Sequence, residues 1–160
     1  MPSAVRIVLL LLTVWLFGCP RQGSPPVTFS EESAEAFLEG VQRRTFRWFW
    51  EWTNPGNGLV PDRTPEPPFS SIAAIGFALT AYPVGVERGY ITREQAVERV
   101  RATLRFLWEA PQGQDPENAS GHQGFFYHFL DMDSGLRHGA NELSTMDTAL
   151  LMAGVLFCQS

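Results

Sequence analysis

Between Gly124 and Leu150 the carboxylates Asp131, Asp133, Glu142 and Asp147 share one short stretch with Phe125, Phe126, Tyr127, His128 and Phe129. A carboxylic acid can protonate a leaving oxygen while a second carboxylate takes a proton from water or attacks carbon directly. A pair of them separated by ~5 to 10 Å is the equipment for cleaving a glycosidic bond. Aromatic faces beside such carboxylates are apolar platforms on which a sugar ring can stack. Residue types and spacing therefore point to acid/base hydrolysis on a carbohydrate, with Glu142 the first candidate and Asp147 the second. Glu142 lies just before Ser144, the cap of an apolar helix, and hence at that helix's mouth end; an exposed loop glutamate favoured by the helix dipole fits the same position. Asp147 is the third helical residue of a Ser144-x-x-Asp147 capping box, so capping and catalysis compete for it.

The neighbouring residues supply candidates for substrate binding. In a strand from Phe125, Tyr127 and Phe129 would share one face and Phe126, His128 and Leu130 the other, and either set could meet sugar or pack on the helices. His128 could hydrogen-bond substrate hydroxyls or serve as a satisfied structural histidine. Asp131 and Asp133 flank a turn at Asp133-Ser134-Gly135, where turn chemistry competes with contact to substrate. Asp62-Arg63, between prolines, is expected on the same rim as Glu142, as a sugar contact, a brace for a carboxylate or a local loop lock. A calcium loop starting at Asp131 would put Glu142 at its twelfth position, but glycine stands fifth and Leu136 sixth, against the pattern. His122, His128 and His138 have no metal-ligand spacing, so no metal and no cofactor is expected.

The elements that must position these residues are mostly helices. The pair Thr28-x-x-Glu31 predicts the start of an amphipathic helix carrying Phe37, Leu38, Val41, Trp48, Phe49 and Trp52 on one side, stopped by Pro55-Gly56-Asn57-Gly58. After a Pro-rich loop, Ser70-Ser71 caps a helix over Ile72 to Ala81 that is apolar or small all round, as a buried helix is. Thr92-x-x-Gln95 then caps a second amphipathic helix, which Pro111 ends. A hairpin from Phe125 to Met132 returns through Leu136 and Arg137, and a second all-apolar helix spans Thr145 to Phe157. Alternation of amphipathic and wholly apolar helices is the order of an α/α toroid, in which an outer ring shields an inner one. A four-helix bundle would show four similar stripes, and two of these helices have no polar face.

The net charge is −5, every basic residue is arginine, and the arginines form no run or stripe, so nucleic acid is not an expected partner. Arg6 precedes the apolar run Ile7 to Phe17, 11 residues long, which is short of the ~20 that span a bilayer as a helix. Residues 1–18 are expected to be a secretory signal, and Leu16-Phe17-Gly18-Cys19 resembles a bacterial lipobox with Cys19 as the lipidated residue. Pro20 after that cysteine favours the outer membrane, so a lipid-anchored protein of the cell envelope is expected. Residues 19–28 would form a tether and residues 29–160 the folded domain. Cys158, in an apolar helix and with no partner once Cys19 is lipidated, is expected to act as a small buried hydrophobe. The apolar helix runs to Gln159-Ser160 without cap or polar tail, as in the front piece of a longer domain.

The stretches TFRWFWE (Thr45 to Glu51), GLVPDR (Gly58 to Arg63), SIAAIGFALTAYPVGVERGYITREQA (Ser71 to Ala96), GFFYHFLDMDSG (Gly124 to Gly135) and ELSTMDTALLMAGVLF (Glu142 to Phe157) resemble, in the same order, the bacterial glycoamylase-like family. That resemblance implies an all-α, incomplete (α/α)6 toroid of about two outer and inner helix pairs, with a short β-hairpin. It implies a glycoside hydrolase-like activity on a glucan or oligosaccharide, similar to endo-β-1,2-glucanases, and places Glu142 beside the substrate cleft with its partner carboxylate beyond Ser160. A catalytically inactive carbohydrate-binding remnant or truncated fragment is the alternative. The substrate-binding candidates are Asp62, Arg63, Phe126, Tyr127, His128 and Asp131.

Overall fold

The computed structural model describes residues 30–64 and 69–159. The expected signal segment, the tether, Cys19 and Thr28 lie outside the described residues. Helix α1 spans Glu31–Trp52, and its first turn is capped by Ser30, whose hydroxyl accepts the Ser33 N–H at 3.2 Å. Strand β1 (Phe69–Ser71) runs into α2 (Ile72–Glu87), followed by α3 (Arg93–Glu109) and a 3-10 turn at Pro116–Asn118. Three short strands then follow, β2 (Gly121–His122), β3 (Phe125–Phe126) and β4 (Phe129–Asp131), before α4 (Thr145–Phe157). Among the described residues no helix is long and apolar enough to cross a membrane.

From Glu35 onward the order outer, inner, outer, inner is visible in burial. Helix α2 buries Ile72, Ile75, Gly76, Ala78, Leu79, Tyr82 and Gly85. On α3 only Ala96 and Thr103 are buried, while its charged residues other than Arg99 face solvent. The capping box expected at Thr92 and Gln95 is formed in both directions. Helix α1 docks through Phe46, whose ring occupies the space over Gly85 and stacks on Trp50 at 6.1 Å. The Arg99 guanidinium of α3 lies 4.3 Å from the Trp50 ring centroid, which ties the two outer helices together. Phe37, Leu38 and Val41, expected on the packed face of α1, are exposed. So are Phe77 of α2 and Met146, Leu150, Met152 and Leu156 of α4, so among the described residues α4 is covered on one side only.

Helix α2 continues six residues past the expected end, through Pro83. A proline inside a helix lacks the N–H that the carbonyl four residues earlier needs, here Leu79. The Cys158 thiol takes that place, donating to the Leu79 carbonyl oxygen at 3.3 Å. Cys158 is thus half-buried and hydrogen-bonded, and burial pushes its thiol pKa up, away from reactive thiolate.

The strands correct the expected hairpin. Phe125 to Met132 is not one strand: β3 pairs antiparallel with β2, and β4 pairs with β1 in the register Phe69 to Asp131, Ser70 to Leu130 and Ser71 to Phe129. The expected return survives as one bridge between Leu130 and Arg137. Because the chain changes partner at Tyr127–His128, side chains no longer alternate there, and Phe126 and Tyr127 are both buried.

Candidate active site

Three segments meet at the N-terminal end of α4. Phe126 donates its N–H to the Thr148 hydroxyl and accepts the Ser144 N–H at 2.9 Å, while Tyr127 bridges Leu143. His128 donates its N–H to the Glu142 carbonyl at 3.0 Å and its carbonyl accepts the Ile72 N–H at 3.2 Å. The residues between β3 and β4 are therefore clamped between the start of α2 and the approach to α4. Leu130, at 0 % exposure, and Phe126 anchor this layer in the core.

The chemistry gathers around His128. Its Nδ1 lies 2.9 Å from Glu142 Oε1 and its Nε2 3.4 Å from Asp147 Oδ2, so one imidazole bridges the two carboxylates that the sequence singles out. The Glu142 side chain is 67 % exposed, whereas Asp147 is only 17 % exposed. Asp147 Oδ2 also accepts the Ser144 hydroxyl at 2.5 Å, and the Ser144 oxygen accepts the Asp147 N–H at 3.1 Å. Asp147 is thereby fastened into the first turn of α4, where the helix dipole favours a negative charge. Its own N–H and the His128 imidazole hold the Glu142 carboxyl below the usual carboxylate range, with help from the Arg137 charge.

A stack of rings backs the imidazole. His128 lies on Phe129 with centroids 3.9 Å apart and 20° between planes. Phe129 meets Phe69 at 4.6 Å, Phe69 meets His138 at 4.9 Å, and Arg63 sits 5.1 Å over the Phe69 ring. The pairing of β1 with β4 brings the Arg63 loop to the same wall as Glu142. Asp62 is the ion-pair partner of Arg63 at 3.6 Å. Asn141 closes the far side: its amide exchanges hydrogen bonds with both backbone groups of Phe129 and donates to the His138 carbonyl at 2.7 Å. Arg137 donates to the Asn141 carbonyl and covers the Tyr127 ring at 4.6 Å.

The structure thus gathers Glu142, Asp147 and His128 in direct contact and brings Arg63 to the same wall through Phe69 and Phe129. Asp131 stands apart: its carboxylate is turned into the loop, accepting the Asp133 and Ser134 N–H groups and the Ser134 hydroxyl. Phe126 and Tyr127 lie behind the wall as buried support. Phe69, Asn141 and Arg137 are not singled out by sequence. Phe69 carries no chemical signal of its own, and the roles of Asn141 and Arg137 depend on a loop closing around them. Among the described residues no group of three or more His, Cys, Asp or Glu side chains could hold a metal ion.

No family model matches the chain. An exo-β-1,2-glucooligosaccharide sophorohydrolase acting at the non-reducing end, from Parabacteroides distasonis, is 34% identical over 102 residues, 63% of this chain and 13% of that protein. The structure of a candidate glucoamylase from Bacteroides caccae aligns over 78% of this chain with a TM-score of 0.65 and 31% identity. An endo-β-1,2-glucanase from Chitinophaga pinensis, in complex with sophorotriose and glucose, aligns over 81% of this chain with a TM-score of 0.63 and 27% identity. In each of these two structures the chain covers 31% of the other chain.

Proposed function

We propose that this chain, which resembles glucoamylase-like proteins and spans about a third of the solved structures it matches, is part of a glycoside hydrolase acting on a glucan. The observation that carries this reading is the exposed Glu142 carboxylate, held at the mouth of an inner helix beside a wall of stacked rings. In the reaction, water attacks the anomeric carbon as one carboxylate takes its proton. The glycosidic C–O bond breaks, and the leaving oxygen takes a proton from a second carboxyl group. Glu142 is one member of that pair. Asp147 is not the other, because the His128 imidazole fills the space between them and leaves no room for a glycosidic oxygen. The β-1,2 linkage is the favoured substrate, on the names of the Parabacteroides and Chitinophaga relatives. Arg63, with Asp62 bracing it, and the exposed edge of His128 are the proposed sugar contacts.

The same filled gap favours a second reading, binding of a glucan without turnover. The test is reducing-sugar release from linear β-1,2-glucan, with starch as control. Hydrolysis of the β-1,2-glucan that falls by ~10²- to 10⁴-fold in Glu142→Gln supports the first reading. Binding of sophorotriose without any hydrolysis selects the second, and neither binding nor hydrolysis removes both.

For location, we propose a lipid on Cys19 and a tether through residue 28, holding the domain at the outer membrane of the cell envelope. The support is the pattern from Arg6 to Cys19, with Pro20 after it. The mass of the mature chain decides this: an acylated N-terminal cysteine is expected, and an unmodified chain beginning elsewhere ends the proposal.

A further inference from the structure

Glu142 is the most exposed member of its cluster, and a carboxylate on a loop would ordinarily sample several rotamers. Its partner cannot do so. The His128 ring is flattened against Phe129, which is itself held by Phe69 from β1 and by Asn141 through its backbone. On the opposite edge Nε2 faces Asp147, locked to Ser144. A neutral imidazole has one N–H and one lone pair, and an imidazolium has two N–H groups. The contacts to both carboxylates are attractive together only when a proton lies on each line.

We propose that His128 is a positioning residue: anchored by Asp147 and Phe129, it donates from Nδ1 to the exposed Glu142 carboxylate, fixing its rotamer and keeping it ionised for the proton-accepting half of the hydrolysis. This rests on Glu142 being one of the two reacting carboxylates. The direction of the Glu142 titration agrees, since its own N–H and then His128 hold it below the ordinary range. The other charged groups around the cluster are Asp147 at the start of α4, Arg137 and His138 on the returning loop, Asp131 at the end of β4, and Arg63 ahead of β1.

The two nitrogens of the ring can be replaced one at a time. An asparagine amide mimics Nδ1 and keeps a donor toward Glu142. A glutamine amide mimics Nε2 and keeps one toward Asp147, and phenylalanine keeps only the ring. In the full chain, the Glu142 side-chain carboxyl carbon is followed by carbon-13 NMR against pH, with its signal identified by its loss in Glu142→Gln. The Glu142 midpoint is expected to stay low in His128→Asn and to rise toward the ordinary glutamate range in His128→Gln and His128→Phe. Arg137 is unchanged across the series, so its contribution cancels. Equal midpoints in the native chain and His128→Phe, or an equal rise in His128→Asn and His128→Phe, would overturn the proposal. On β-1,2-glucan the same series should lower kcat in His128→Gln and His128→Phe, leave KM nearly unchanged, and recover in His128→Asn. A native chain with no hydrolysis would sink the assignment of Glu142 to catalysis, while the titrations would still judge His128 on their own.

Discussion

Where α4 crosses α2, the two helices touch backbone to backbone: a β-carbon added at Gly76 would overlap the Leu150 carbonyl oxygen, and one at Gly154 would overlap the Gly76 carbonyl oxygen. At the N-terminal turn of the same helix a chain of polar contacts runs from Ser144 to Asp147, from Asp147 to His128, and from His128 to Glu142. The crossing has no titratable group at its point of contact and no space for a β-carbon. At the rim, three ionisable side chains keep one member, Glu142, in solvent. One helix therefore does two jobs, and rigidity at the crossing is what lets the rim hold carboxylates at fixed separations. Precision of a reactive group costs less when its supporting element is already locked elsewhere.

Breaking the crossing should give the largest loss. Gly→Ala inside a helix ordinarily gains about 1 kcal/mol of helix propensity. Here the new methyl group meets backbone that cannot rotate away, so α2 and α4 must part along their whole contact. Overpacking of this kind costs roughly 1 to 3 kcal/mol and occasionally more, which outweighs the propensity gain. Gly76→Ala and Gly154→Ala are each expected to lower the urea midpoint of unfolding. Because the two glycines touch each other, the double variant should lose less than the sum. A midpoint raised by either single variant would mean that the helices are not in close contact.

A smaller loss is expected at the rim. Ser144→Ala removes the hydroxyl that accepts the Asp147 N–H, a cap worth about 1 kcal/mol. It also frees the Asp147 carboxylate from its hydroxyl donor, so His128 loses its fixed anchor. The comparison is sharpened if Ser144→Ala impairs glucan turnover more than its stability loss explains while Gly154→Ala does the reverse. Equal ratios of the two effects would show that crossing and rim are one cooperative unit.

Much of this is legible from local signals. The Thr92 box and the Ser144 cap involve residues within four positions of each other, the nearly all apolar Thr145 to Phe157 run is continuous, and α3 and α4 begin where those signals put them. The two-sided apolar character of α2 and α4 announces inner helices, and their exposed Phe77, Met146 and Leu156 show the second faces. What sequence hides is long-range. Pro83 argues for an end to α2 because the donor that relieves Leu79 is a thiol far along the chain. Phe69-Ser70-Ser71 has no strand pattern, and β1 exists only because β4 pairs with it. For the same reason Asp147 reads as a cap and His128 as structural. Each reading is locally sound, but the bridge between them forms only when the residues after β3, the Asn141 loop and α4 are already in place.

The smallest expected effect lies in the turn behind the rim, and its sign can be worked out. The Asp131 carboxyl is held below its usual range chiefly by the Ser134 N–H, with the Ser134 hydroxyl and the Asp133 N–H adding to it and burial opposing. A group with a lowered native pKa binds its proton more readily unfolded than folded. Its stabilisation is therefore complete above the ordinary aspartate pKa of about 3.9 and is lost as pH falls through the lower native value. In the variant Asp131→Asn the side-chain amide oxygen can still accept both N–H groups, but the group no longer titrates. At pH 7 the substitution should change stability by no more than about 0.5 kcal/mol. On acidification the native chain should lose stability relative to the variant, so that the difference between them shrinks or reverses below pH ~4. Urea midpoints measured from pH 7 to pH 3 check this. Curves that stay parallel throughout would mean that the turn is held by its backbone alone. The rim would then owe its pH response entirely to the carboxylates around His128, while the glycine crossing, with nothing to protonate, should be indifferent to pH in either case.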